Sequence, residues 1–374
     1  MSRNPHGRAS KMLSTGLAAC GIGLMLWGCA TGPELADLQE SPSPHLSPDA
    51  PPGVTDGRAA FRHRFCEALA AGEAGVAGLG CDIWLHRLDD EPAGDQGVSL
   101  TQPVAMEILL VTGAFSECFG EHARPFHSAI MELEGGPYSF STVVVGGRSS
   151  AEHNAAQIAA YVEQHRPGGD RELIMIGYSK GTTDILQFLV DYPAHAEAVD
   201  AVVSIAGAVY GSPLADFFDG PYHLLFSHLP MNLCGEGDSG VVRSLRTDLR
   251  RQWLEKNALP GNVRYYSLAA FTTRDRLARS LVPSWEMLLG HGDRNDGQLL
   301  PADAIIPGST VLGYLNADHW AVAMEIEKEL EFWAHRKFTP AFPHAALLQA
   351  ILDQVGADLA GSRTIVARPG RETE

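Results

Sequence analysis

The stretch from Glu172 to Tyr192 limits what this chain can fold into more than any other. Leu173-Ile174-Met175-Ile176 is continuously apolar and too short for an amphipathic helix, so it reads as a strand covered on both faces. Beyond Gly177-Tyr178-Ser179-Lys180-Gly181, the residues Ile185, Leu186, Leu189 and Val190 recur at helical spacing until Pro193 stops them. A serine at the hinge of such a strand and helix sits in a sharp, strained turn that exposes its hydroxyl, and the flanking glycines let the backbones pass closely. The helix N-terminus directs the Lys180 amide and the helix dipole at any negative oxygen formed beside Ser179.

The surrounding sequence repeats this alternation. Met106 to Val111 reads as a strand ending in Thr112-Gly113-Ala114-Phe115, with a helix expected from about His122 to Leu133. Phe140 to Val145, Val199 to Ile205, Val263 to Ala269 and Thr310 to Leu315 read as further strands. Helices are expected over Ala151 to His165, Arg276 to Leu289 and Trp320 to Arg336. Strands alternating with helices form a mostly parallel sheet covered on both faces by right-handed crossovers. Residues 208–261 break the alternation after the fourth core strand. This aromatic- and aliphatic-rich insertion is long enough to form a lid or acyl-binding cap.

A serine hydroxyl becomes a good nucleophile only when a neighbouring base takes its proton, and a histidine held by a carboxylate suits that task near neutral pH. His319 follows the last strand closely, whereas His291 precedes it and His223 and His228 fall in the insertion. For the acid, the order Ser, Asp, His leaves Asp275, Asp293 and Asp296 open. The tetrahedral intermediate needs a second amide besides that of Lys180, and the loop after Val111 supplies it through Ala114 or Phe115.

Outside this core the sequence describes delivery and stability. Arg3, Arg8 and Lys11 precede an apolar run from Met12 to Trp27, the pattern of an export signal over residues 1–28. Leu26-Trp27-Gly28-Cys29 resembles a bacterial lipobox, making Cys29 the expected lipidation site ahead of Cys20. Residues 29–57 read as a Pro- and Ser-rich tether, 58–340 as the folded domain, and 341–374 as an amphipathic helix and tail. The expected location is the periplasmic side of a bacterial envelope, with membrane attachment through the lipid; a plain secretory signal would instead make the protein a secreted one. With 28 basic and 45 acidic residues the net charge is −17, which argues against nucleic acid as a partner. Cys66, Cys81, Cys118 and Cys234 permit up to two disulfides, Cys66 with Cys81 being the first choice; no spacing points to a metal or other cofactor.

Ile108 to Phe115, Gly177 to Gly181, Gly211-Ser212-Pro213-Leu214-Ala215-Asp216, Asn295-Asp296-Gly297 and Asp318-His319 together resemble motifs of the bacterial triacylglycerol lipases and esterases of the α/β-hydrolase superfamily. The resemblance spans about Met106 to Arg336. It implies an α/β-hydrolase fold and cleavage of carboxylic esters or lipid-like substrates through an acyl-enzyme. It also implies Ser179 as nucleophile, His319 as base, Asp296 as acid in preference to Asp275, and Ala114 with Lys180 as oxyanion donors. An acyltransferase, a thioesterase, or a catalytically silent envelope protein that binds a lipid or partner are the competing expectations for the same fold.

Overall fold

The computed structural model describes residues 53–72, 80–94, 103–116, 123–165, 171–217, 235, 237–326, 335 and 341–366. The strands are β1 (Thr55–Asp56), β2 (Met106–Val111), β3 (Ala123–Pro125), β4 (Tyr138–Val143), β5 (Glu172–Tyr178), β6 (Ala201–Ile205), β7 (Arg264–Ala270), β8 (Thr310–Leu315) and β9 (Met324–Ile326). Seven of them form one sheet in the order β1-β8-β7-β6-β5-β2-β4, parallel throughout. Every residue of β5 and of β6 is buried, as expected for uninterrupted apolar strands in the middle of a parallel sheet.

Side-chain alternation divides the core into two layers. Ile108, Leu110, Ile174 and Ile176 face a layer built with Phe61 and Phe65 of the helix Arg58–Ala71 and with the helix His344–Val366. Leu109, Val111, Leu173 and Met175 face the opposite layer, with Ile158 and Val162 of the helix Ala151–Gln164 and Ile185, Leu186 and Leu189 of the helix Lys180–Asp191. Leu347, Leu348, Ile351, Leu352 and Val355 of the C-terminal helix are buried in the first layer, so this helix is part of the core.

The structure corrects several expectations. The expected tether is not free at its end, because Thr55–Asp56 adds an edge strand to Thr310–Val311 and the Asp56 carboxylate accepts from the Arg58 backbone amide at 3.0 Å. The helix expected from His122 begins only at His127. Pro125 disfavours helix in the residue before it, Phe126 takes a left-handed φ of 55°, and Ala123–Pro125 pairs antiparallel with Met324–Ile326. In place of the start of the helix expected over Trp320 to Arg336 the chain forms a turn and then this paired strand; 327–334 and 336 lie outside the described residues. The helix expected over Arg276 to Leu289 is broken into 3-10 turns at Arg274–Arg276 and Arg279–Leu281 and a helix at Val282–Leu288. Pro283 is tolerated only in a first helical turn, and the Ala278 amide is taken by the Asp318 carboxylate at 2.6 Å.

Cys66 and Cys81 form a disulfide that closes a separation of 15 residues. A constraint of that size stabilises a fold by about 3 kcal/mol. The signal segment with Cys20 and Cys29, the remaining cysteines Cys118 and Cys234, and residues 218–234 of the expected lid lie outside the described residues. Within 237–261 the insertion forms the helices Val241–Leu245 and Thr247–Lys256. Among the described residues, no helix is long and apolar enough to cross a membrane, and no group of His, Cys, Asp or Glu is arranged to hold a metal ion.

Candidate active site

The site sits at the carboxyl ends of the central strands, where parallel α/β sheets place their ligands. β5 ends at Tyr178, and Ser179 turns the chain into the helix Lys180–Asp191 with φ 55° and ψ −127°, a conformation that strains any L-residue. The Ser179 amide donates to the Ile205 carbonyl at 3.2 Å, and its own carbonyl accepts from Ala208 at 3.0 Å, so the neighbouring strand holds the turn. Gly181 is required by packing: a Cβ there would lie 2.3 Å from the Val111 carbonyl oxygen. The helix can therefore start directly against β2.

His319 lies four residues beyond the end of β8. Its amide donates to the Asp296 carbonyl at 2.8 Å, and its carbonyl accepts from the Tyr178 hydroxyl at 2.7 Å. Asp318 fixes the same corner, accepting from the Ala278 and Ala321 amides at 2.6 and 2.8 Å. With its backbone held on both sides, the imidazole has Nδ1 2.7 Å from Asp296 Oδ2 and Nε2 2.8 Å from Ser179 Oγ. An ionised carboxylate only accepts, so Nδ1 carries the proton and Nε2 is left to accept from the serine hydroxyl.

Asp296 is 1% exposed and divides its two oxygens between two tasks. Oδ1 accepts from the Gln298 and Leu299 amides at 2.8 and 2.7 Å, closing a turn in which Gly297 has φ 94°, while Oδ2 faces the imidazole. The Asn-Asp-Gly segment thus serves as a turn and as the histidine's partner at once. Asp275 is exposed, with Oδ1 accepting from Thr273 Oγ1 at 2.6 Å, and Asp293 is also exposed. His291 contacts the Phe217 ring at the surface, 5.5 Å between centroids.

The expected oxyanion donors flank the serine in the chain's packing, Lys180 next to it and the loop after Val111 across from it. Lys180 opens its helix, where the first amides have no intrahelical partner. On the other side, Gly113 packs so closely that a Cβ would lie 3.0 Å from Ser179 Cβ. The Phe115 amide is used by the Gly147 carbonyl at 3.1 Å, which leaves Ala114 of the two residues considered. A cavity of about 130 Å³ opens over Ser179 and His319, with walls that include Phe115, Leu214, Val241, Val242, Leu245 and Trp320. Val241, Val242 and Leu245 come from the insertion. Sequence reasoning missed the Tyr178 clamp on His319 and the use of Asp318. Neither the Tyr178 contact with His319 nor the Ala278 contact with Asp318 leaves a local signal, since the partners lie 141 and 40 residues apart.

The chain is similar to a metagenomic carboxyl esterase of known structure, with 36% identity over 82% of this chain and 93% of that one and a TM-score of 0.73. A mature Bacillus licheniformis lipase matches at 21% identity over 63% of this chain and 93% of its own, with a TM-score of 0.49. Lipase 1 from Pelosinus fermentans matches at 12% identity over 68% of this chain and 99% of its own, with a TM-score of 0.47. No protein-family model and no curated protein sequence matches the chain.

Proposed function

This chain belongs to the esterases and lipases of the α/β-hydrolase superfamily, and from that premise we propose that it hydrolyses carboxylic esters through an acyl intermediate on Ser179. The observation that carries the reading is the continuous hydrogen-bonded path from Asp296 Oδ2 through the imidazole of His319 to Ser179 Oγ, at 2.7 and 2.8 Å.

In this mechanism the Ser179 hydroxyl proton passes to His319 Nε2 as Oγ attacks the ester carbonyl carbon. The carbonyl oxygen becomes negative and is met by the amides of Ala114 and Lys180, donors already in place before charge develops. Collapse breaks the bond to the alkoxide, which takes the proton from Nε2 and leaves as the alcohol. A water then repeats the sequence on acyl-Ser179, releasing the acid and restoring the hydroxyl. Asp296 keeps the imidazole in the productive tautomer and stabilises it while it is positively charged.

The small volume of the cavity over Ser179 and its apolar walls support a preference for short acyl chains. Assays of p-nitrophenyl acetate, butyrate, octanoate and laurate are expected to give the highest kcat/KM for butyrate and a decline toward laurate. A fluorophosphonate should label the protein at Ser179. Absence of both turnover and labelling would sink the reading in favour of a silent binding protein, and faster turnover when an alcohol acceptor replaces water would make it an acyltransferase.

Export and lipid anchoring at Cys29 are proposed from the residues alone. Cells fed a labelled fatty acid should incorporate it into the wild-type chain and lose that incorporation in Cys29→Ala. Persistent incorporation in Cys29→Ala that disappears in Cys20→Ala would move the site to Cys20.

A further inference from the structure

Lys180 plays a second part through its side chain, which is 1% exposed beneath the turn that presents Ser179. Its Nζ donates to Asp184 Oδ1 at 2.5 Å, one helical turn on, and Asp184 is itself fully buried. The other carboxylate oxygen accepts from Asn154 Nδ2 at 2.7 Å. Asn154 is fully buried on the helix Ala151–Gln164, and the same nitrogen also donates to the Gly146 carbonyl at 3.1 Å. The next residue, Gly147, holds the Phe115 amide through its carbonyl at 3.1 Å. A continuous polar path therefore runs from Lys180, which provides one amide beside Ser179, to the residue adjoining Ala114, which provides the other.

We propose that Lys180, Asp184 and Asn154 form a buried positioning network that keeps the two oxyanion-hole amides at a fixed separation, with the Lys180 ammonium neutralising the Asp184 carboxylate. The proposal rests on the hydrolase reading and deepens it. A carboxylate buried this completely is held only by compensating charge and hydrogen bonds. Burial pushes the Asp184 carboxyl up from its ordinary value, and the nearby Lys180, Asn154 and Arg250 oppose that rise. Arg250, on the helix Thr247–Lys256, is the other cation facing it. It donates Nε to the Val209 carbonyl at 3.1 Å, has a buried Nη2 without a hydrogen-bond partner, and is itself faced by Glu152. With Lys180 uncharged, Asp184 turns toward Arg250, the first turn of the serine helix follows it, and the amide separation is lost.

The test compares Lys180→Gln with the neutral pair Lys180→Gln/Asp184→Asn on p-nitrophenyl butyrate. For Lys180→Gln, kcat at about pH 9 is expected to fall about 100-fold with KM nearly unchanged, the scale set by a displacement of about 1 Å in a catalytic group. An acid loses charge as pH falls, so Asp184 protonates first in this variant. Its kcat relative to wild type, followed from about pH 9 down to about pH 5, should therefore rise as pH falls. The double variant should regain kcat to within about fivefold of wild type and lose the pH dependence of the ratio. A role in stability alone would lower Tm in Lys180→Gln while leaving kcat within about threefold at both pH values, and that result overturns the proposal. If Lys180→Gln does not fold, the double variant decides: kcat near wild type supports the network, and a loss as large as that expected for the single variant overturns it. A wild-type protein inert toward esters and fluorophosphonate overturns both the hydrolase reading and this network's role; an active wild type with an unaltered Lys180→Gln overturns the network alone.

Discussion

Ser179→Ala is expected to lower kcat on a short-chain ester by a factor on the order of 10⁵ to 10⁶, with KM little changed. The size follows from what Oγ does. It forms the covalent bond to the acyl group, and among the described residues no other hydroxyl is placed 2.8 Å from His319 Nε2 to replace it. The residual rate comes from water attacking an ester polarised by the Ala114 and Lys180 amides, which alone provide about 10³ to 10⁴ over the uncatalysed reaction. Alanine at a φ of 55° carries much the same backbone strain as serine, so far-ultraviolet circular dichroism and Tm should remain close to wild type. His319→Ala should cost a similar factor, and the double variant little more, because groups that act as a unit do not add. Retention of more than about one per cent of activity in Ser179→Ala would place the nucleophile elsewhere.

Asp296→Asn is expected to lower kcat by about 10⁴-fold while leaving the fold intact. The two-oxygen division of this residue explains both halves of that statement. An asparagine Oδ1 still accepts from the Gln298 and Leu299 amides, so the turn survives. The side-chain NH₂ then faces His319 Nδ1 and donates to it, which puts the ring proton on Nε2, where it opposes acceptance of the Ser179 proton. Asp275→Asn removes only an exposed carboxylate bonded to Thr273, and its kcat should stay within about twofold of wild type. Steady-state kinetics on the two variants side by side checks the assignment, and the reverse outcome would return the role to Asp275.

Much of this site was legible because its chemistry is written into short segments. Strand, serine turn and helix around Ser179 are each determined by residues within a few positions of one another, and the strands Met106–Val111 and Thr310–Leu315 match their expected bounds for the same reason. The pairing of Cys66 with Cys81 was within reach because only 15 residues separate them. The helix expected from His122 starts five residues late, and the described start of the helix expected after His319 is a turn and a strand, because Ala123–Pro125 and Met324–Ile326 pair across some 200 residues, which local periodicity does not register.

Local residue patterns were enough to specify the parallel α/β architecture, the strained serine turn and a short list of residues able to act as base or acid. Hydrophobic period and backbone propensity act over a few residues, and that range sufficed. It took the folded chain to show that Asp296, not Asp275, meets His319, that the Phe115 amide is spent on the Gly147 carbonyl, and that Lys180 turns its charge inward onto Asp184. Those outcomes depend on distances between segments far apart along the chain, set when the sheet closes and each buried polar group has to find its partner.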